Sequence, residues 1–325
     1  MPRSLSYAKA ILEATDQAMS LCPDVVVLGQ LVDTHSGIFG TTTGLVDKYG
    51  SARVQDFPVS ENLMTATAMG AALTGLRPVI CHQRLDFMIY SLDAIVNWLG
   101  LWRFKSNMTS AMPVTIRTIV GKGWGQGPQH SKNLQSWFAH IPGIRVAVPA
   151  TAYDAKGLLL ESILGETPTI FVEGRGLYSM TDEVPEPPYR VRFGQAAVRR
   201  EGTDVTIVAV GLMVPLALRA ATVLEHEGVS VEVIDPRTIA PLDRKTICDS
   251  VFKTRRMVVA DGTWRSFGSA AEIITSVVEN LGDKLMAKPV RVTLPDSHTP
   301  MSRALEPEYY PDENDIVAAV RSVLK

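Results

Sequence analysis

An α/β fold with two doubly wound domains is what this 325-residue sequence predicts, on three observations. Short β-branched runs alternate with stretches of helical period, the pattern of parallel strands joined by covering helices. The alternation pauses once, in the three-proline stretch from Thr181 to Arg192, and then restarts. At 46% hydrophobic and 20% charged residues, the chain is long and apolar enough for two cores.

Helical periodicity runs from Leu5 to Leu21. Val25 to Leu28, bounded by Pro23 and Gly29, then reads as a buried parallel strand. Further strands are predicted at Val79 to Cys81, Val114 to Arg117, Arg145 to Val148 and Thr169 to Val172. Helices over Asn62 to Leu73, Leu92 to Phe104 and Ala152 to Leu164 separate them. Continuous apolar runs mark strands covered on both faces. Thr181 to Arg192 combines its prolines with mixed charges, the composition of an exposed connector, so the domains are set at residues 1–185 and 192–325. Beyond it, strands are predicted at Val205 to Val210, Val229 to Ile234, Met257 to Ala260 and Val290 to Val292. The accompanying helices are Pro215 to Glu227 and Ser269 to Leu281. No short-period repeat or low-complexity tract interrupts the pattern.

Composition narrows the function classes. A net charge of -2 and a pI near 6.3 leave no basic footprint for nucleic acid. Cys22, Cys81 and Cys248 are odd in number and lack metal-ligand or disulfide-framework spacing, which fits a reducing cytoplasm and indicates no zinc site. No apolar stretch reaches the roughly 18 residues of a membrane span, and the N-terminal residues lack a signal-peptide core. A soluble protein is expected.

Four places are candidates for chemistry. Glu61, in Pro58-Val59-Ser60-Glu61, is a lone carboxylate at the head of an apolar helical run with no charged neighbour from Asn62 to Leu76. In isolation it reads as a helix-start charge, because acidic residues in the first turn complement the macrodipole. The alternative is a chemical group aimed at something bound. Gly121-Lys122-Gly123-Trp124-Gly125-Gln126-Gly127-Pro128-Gln129-His130 is a glycine-rich loop that delivers a histidine, either a functional loop or a surface connector. His82, Gln83, Arg84 and Asp86 follow a predicted strand at its carboxyl end, where open parallel sheets place ligands. The structural reading of those residues is a polar loop with Arg84 and Asp86 paired on the surface. Phe87 either stacks on a flat ring or fills the core. Gly211 lacks the spacing of either nucleotide-binding motif and reads as a strand-to-helix turn.

These pieces stand in an order that resembles a known family: Pro58-x-Ser-Glu61, Gly70-Ala-Ala-Leu-Thr-Gly-Leu-Arg-Pro78, Asp86-Phe87, Gln129-His-Ser131 and Phe138-Ala-His-Ile-Pro-Gly143. The likeness continues through Tyr153-Asp-Ala-Lys-Gly-Leu158, Glu232-Val-Ile-Asp235, Pro241-Leu-Asp243, Phe267-Gly268 and Glu272. The chain resembles the beta subunit of the thiamine-diphosphate-dependent 2-oxo acid dehydrogenase decarboxylase, of the pyruvate dehydrogenase and branched-chain type. That resemblance implies a pyrimidine-binding transketolase-like domain followed by a transketolase C-terminal-like domain.

It also implies roles. Glu61 matches the glutamate that hydrogen-bonds the cofactor's aminopyrimidine and favours the tautomer that deprotonates the thiazolium carbon. A carboxylate in apolar surroundings can share a proton with such a ring. Gln83 and Phe87 match positions on and around the pyrimidine, with Val59 near its edge. His130 matches the active-site histidine that approaches substrate and lipoyl group, a task suited to imidazole. The sequence carries no Gly-Asp-Gly motif for magnesium and diphosphate, so the resemblance implies an alpha subunit that holds both. An alpha2beta2 assembly and a lipoyl-bearing transacylase complete the implied partners. The residues depart from the family at Gln30, where a carboxylate is common, at Ala94, and at Lys132 after His130-Ser131. Gly165 and Glu166 stand where an aspartate often helps to bind potassium, which leaves potassium open. So are two other readings: the beta half of a split transketolase-like or acyloin-forming enzyme, and a scaffold subunit without turnover.

Overall fold

The structure, a computed structural model, describes residues 3–121 and 126–325. By compactness these form two units: 3–121 with 137–193, and 126–136 with 194–325.

The first unit is built on a parallel sheet. Its strands are β1 (Val25–Gly29), β2 (Val54–Asp56), β3 (Arg77–His82), β4 (Thr115–Val120), β5 (Arg145–Ala147) and β6 (Thr169–Gly174). They lie side by side in the order β5-β6-β4-β3-β1-β2. Every residue of β1, β4 and β6 is buried, as continuous apolar runs require. Helix α1 (Tyr7–Leu21) starts where Ser6 Oγ accepts from the Lys9 N–H, and turns Tyr7, Ala10, Ile11, Ala14 and Ala18 inward. Helix α2 (Glu61–Leu73) follows β2, and α3 (Ala152–Ile163) is capped by Thr151, whose Oγ1 accepts from the Asp154 N–H at 3.1 Å.

Two local differences from the sequence reading have physical causes. The helix expected over Leu92 to Phe104 is a π-helix, Ala94–Leu99, followed by an α-helix, Gly100–Lys105. Gly100 and Gly143 cross there so closely that a Cβ on Gly143 would lie 2.1 Å from the Gly100 carbonyl oxygen. That backbone approach constrains the helix from outside its own pattern. Within the proline-rich stretch, Thr181–Glu183 pairs antiparallel with Ser4–Ser6. The stretch is also anchored: the buried Lys156 Nζ donates to the carbonyls of Pro185 (2.6 Å), Glu186 (2.9 Å) and Pro187 (3.2 Å), and to Glu13 Oε1 (2.6 Å). A buried ammonium needs such a full set of acceptors.

The second unit carries β7 (Ala197–Arg200), β8 (Val205–Ala209), β9 (Val231–Asp235), β10 (Met257–Trp264) and β11 (Val290–Leu294), in the order β11-β10-β8-β9-β7. All pairs are parallel except β9 with β7. Helices α4 (Met213–Glu225), α5 (Arg244–Thr254), α6 (Ser269–Leu281) and α7 (Glu313–Leu324) complete it. Asp312 and Asp315 form a capping box at the start of α7. Among the described residues, no helix is long and apolar enough to cross a membrane.

Candidate active site

Glu61 is the first residue of α2, as its position in the sequence suggests. Ser60 precedes it without a side-chain cap bond, and the Thr65 hydroxyl, 3.0 Å from the Glu61 carbonyl, ties that turn to Ser91 Oγ at 3.0 Å. The Glu61 side chain is half-buried and makes no hydrogen bond or ion pair among the described residues. The first-turn charge and the available carboxylate are therefore the same group. Val59, two residues earlier, is 82% exposed.

Gln83 follows β3 directly, and Phe87 sits in the helical turn Leu85–Met88. Both side chains are half-buried, and that turn packs against α2. The chain thus gathers Glu61's helix, Phe87 and Gln83 around the carboxyl end of β3. The expected surface pair of Arg84 and Asp86 is corrected: the residues are only 5% and 4% exposed, because the turn after β3 folds inward against the sheet.

His130 lies in the segment that groups with the second unit, whereas Glu61, Val59, Gln83 and Phe87 belong to the first. Its side chain is half-buried; Ser131 beside it is buried, and Lys132 Nζ bonds the Pro128 carbonyl at 2.6 Å. Asn133 Nδ2 donates to the Gly262 carbonyl on β10, which stitches the segment to that sheet. Lys122 to Gly125, including Trp124 of the glycine-rich loop, lie outside the described residues.

Beneath the carboxyl edge runs a buried charge network absent from the sequence reading. Arg117 on β4 and Glu173 on β6 pair at 2.6 Å, with 2% and 0% side-chain exposure. Arg117 Nη2 also reaches Thr41 Oγ1 at 2.7 Å, and the Tyr178 hydroxyl donates to Glu173 Oε2 at 2.6 Å. Burial alone would lower the Arg117 pKa, but the Glu173 carboxylate holds it above the ordinary value. Burial pushes the neighbouring Cys81 thiol up to about 11, so it stays protonated. His82, the last residue of β3, is 1% exposed, and neither ring nitrogen has a hydrogen-bond partner among the described residues. Burial holds its pKa down at about 3, so the ring is neutral. Thr118, its register partner on β4, is equally buried and its hydroxyl is equally unpartnered. The signal for His82 was in the sequence: a polar ring closing an otherwise apolar strand.

In the turn where potassium was left open, an arginine bonds two of the oxygens. Arg77 Nη1 donates to the Gly165 carbonyl at 2.7 Å, and Arg77 Nη2 pairs with Glu166 at 2.5 Å.

Comparison with known proteins identifies the family of the two units. The profile "Transketolase, pyrimidine binding domain" matches residues 3–181, and "Transketolase, C-terminal domain" matches residues 194–316. The beta subunit of acetoin:2,6-dichlorophenolindophenol oxidoreductase from Cupriavidus necator is 39% identical, over 100% of this chain and 99% of that protein. This chain belongs to the transketolase family. Its relatives in that family include the mitochondrial pyruvate dehydrogenase E1 component subunit beta-2 of Oryza sativa subsp. japonica, 38% identical over 98% of this chain and 86% of that one. Among solved structures, a split-gene transketolase described as an inactive beta4 tetramer matches with a TM-score of 0.79 and 25% identity over 98% of each chain. Both transketolase-type domains are thus present, in the order the resemblance implied.

The cofactor implied by the family, thiamine diphosphate, can be tested against the residues of the first unit. Its pyrimidine is a flat, weakly basic ring. A helix-start carboxylate with no partner among the described residues, a half-buried phenyl and an exposed valine suit such a ring. The residues fit.

Proposed function

We propose that this chain is the beta subunit of a thiamine-diphosphate-dependent 2-oxo acid dehydrogenase. With an alpha subunit it oxidatively decarboxylates a 2-oxo acid and passes the acyl group to the lipoyl group of a transacylase. The observation that carries this reading is Glu61: an available carboxylate heading an apolar helix, in a chain that pyruvate dehydrogenase E1 beta subunits match over 98% and 99% of its length.

When bound, the cofactor supplies the electron sink for the reaction. Glu61 would hold a proton against its pyrimidine nitrogen, while Phe87, Gln83 and Val59 shape the ring's surroundings. His130 would position and move a proton at the substrate, a task that imidazole chemistry allows. Magnesium and the diphosphate fall to the alpha subunit, in an alpha2beta2 assembly. The second unit, with α6 and its neighbouring loops, supplies association and transacylase docking. A cytoplasmic setting suits three free cysteines.

A second reading has its own support. The Cupriavidus necator relative is named for acetoin, so an acyloin-oxidising enzyme is the alternative. Purified alpha and beta chains should be assayed with thiamine diphosphate and a redox dye, first with 2-oxo acids and then with acetoin, followed by acylation of a lipoyl domain. Turnover of 2-oxo acids with lipoyl acylation is expected; turnover of acetoin alone would select the second reading. Glu61→Gln should lower turnover about 10²- to 10⁴-fold, the usual range for a lost acid–base group. Unchanged turnover would revive the scaffold reading.

A further inference from the structure

At the carboxyl edge of the first sheet, three segments converge on one aromatic ring. Phe39, in the loop after β1, adopts a φ of 49°, a left-handed conformation uncommon for a phenylalanine, and its ring is 44% exposed. The Arg84 guanidinium carbon lies 5.4 Å from the ring centroid, and that of Arg175 lies 4.7 Å from it. Arg175 also stands 4.7 Å from the Tyr178 ring, which meets Phe39 edge-on at 6.4 Å. Arg84 comes from the residue after Gln83 and Arg175 from the residue after β6, so both stand at carboxyl ends of parallel strands.

Two like charges around one ring repel, and Arg84 is 95% out of solvent, where that repulsion is poorly screened. Burial and the Arg175 charge both act against the charged form of Arg84, and Asp86 acts for it. Glu173, the carboxylate beneath, is already held by Arg117 at 2.6 Å and by the Tyr178 hydroxyl at 2.6 Å. The Arg84 guanidinium lies over Phe39 and that of Arg175 over Phe39 and Tyr178, and a guanidinium fork recognises a carboxylate by paired hydrogen bonds.

We propose that Arg84 and Arg175 bind the carboxylate of the substrate, which makes an anionic 2-oxo acid, rather than a neutral acyloin, the preferred substrate class. This rests on the functional reading above and deepens it. The arginines select and orient the acid; they take no part in bond making.

The test uses the reconstituted alpha and beta assembly with Arg84→Gln, Arg175→Gln and the double variant. Pyruvate serves as the anionic probe and acetoin as the neutral one. Each single variant should raise the KM for pyruvate about 10- to 100-fold, the worth of a charge-assisted hydrogen bond, with a smaller change in kcat. Kinetics with acetoin should not change, and Arg175→Lys should recover part of the loss. Arg175 is half-buried, so its variants carry the test if the buried Arg84 variant fails to fold. An equal loss with both probes would overturn the proposal in favour of a brace for the Phe39 loop. A raised KM for thiamine diphosphate would overturn it in favour of the diphosphate as the anion, and loss of alpha binding in favour of a subunit contact. Equilibrium dialysis of pyruvate against the assembly without cofactor gives a readout independent of turnover. If the wild type binds pyruvate no better than the double variant, the arginine site is wrong, even if the dehydrogenase reading stands. If the wild type binds pyruvate in an arginine-dependent way but turns over neither probe, the dehydrogenase reading fails and the site survives.

Discussion

Both units bury an acidic residue near the carboxyl end of a central strand, and they treat it in opposite ways. Asp261 on β10 is satisfied locally: it accepts from Ser269 Oγ at 2.5 Å, Thr263 Oγ1 at 2.7 Å, Ala270 N–H at 3.1 Å and Thr263 N–H at 3.2 Å. All its partners lie within nine residues, and they close the turn from β10 into α6. Glu173 on β6 is satisfied from afar, by Arg117 on β4, and elsewhere in the same unit the Glu61 carboxylate and both nitrogens of His82 have no hydrogen-bond partner among the described residues. Buried polar groups that complete their hydrogen bonds within a turn serve the fold. Those left incomplete are not explained by the fold alone.

The sharpest way to break the comparison is to unpair Glu173. Arg117→Met should cost about 3–5 kcal/mol in urea denaturation, because it strands a buried carboxylate. Replacing both members, Arg117→Met with Glu173→Leu, should recover much of that loss; no recovery would mean that the network does more than balance charge. Asp261→Ala should cost about 2 kcal/mol, the scale of unsatisfied donors at a buried turn. A change below about 0.5 kcal/mol would show that the local closure is dispensable.

The smallest effect per step is a pH dependence from His82. Its folded pKa is depressed, from 6.5 to about 3, so the fold requires the neutral ring. Above pH 6.5 both states leave it neutral; below, the unfolded chain takes up a proton that the folded chain refuses until about pH 3. Stability should therefore fall with pH through that window, by up to about 1.4 kcal/mol per pH unit from this one group. His82→Leu should flatten the slope measured by urea midpoints from pH 7 to 5, and an unchanged slope would locate the loss elsewhere.

Much of the fold was legible because both sheets are covered on two faces, so that Val25–Gly29 or Val205–Ala209 reads as an unbroken apolar run. Ser4–Ser6, Val54–Asp56 and Thr181–Glu183 were not legible, since three residues carry too little pattern. Helix α5 was missed for its polar composition, although Asp243, which accepts from the Thr246 N–H at 3.0 Å, is a readable cap. Around the candidate site, Glu61 stood out because its charge is isolated in the sequence. The partners of Arg117 and Lys156 did not, since they lie 56 and 143 residues away for Glu173 and Glu13. Arg84 was read as a surface charge because nothing local reports that its turn folds inward.

The central claim is that the Glu61 carboxylate acts on the cofactor's pyrimidine, and proton exchange measures this without any substrate. In the assembled alpha and beta chains loaded with thiamine diphosphate, hydrogen–deuterium exchange at the thiazolium carbon can be followed by NMR after quenching. Exchange should be at least about 100-fold faster than in free cofactor, and Glu61→Gln should abolish that gain. A Glu61→Gln assembly that binds the cofactor and exchanges as fast as the wild type would contradict the account.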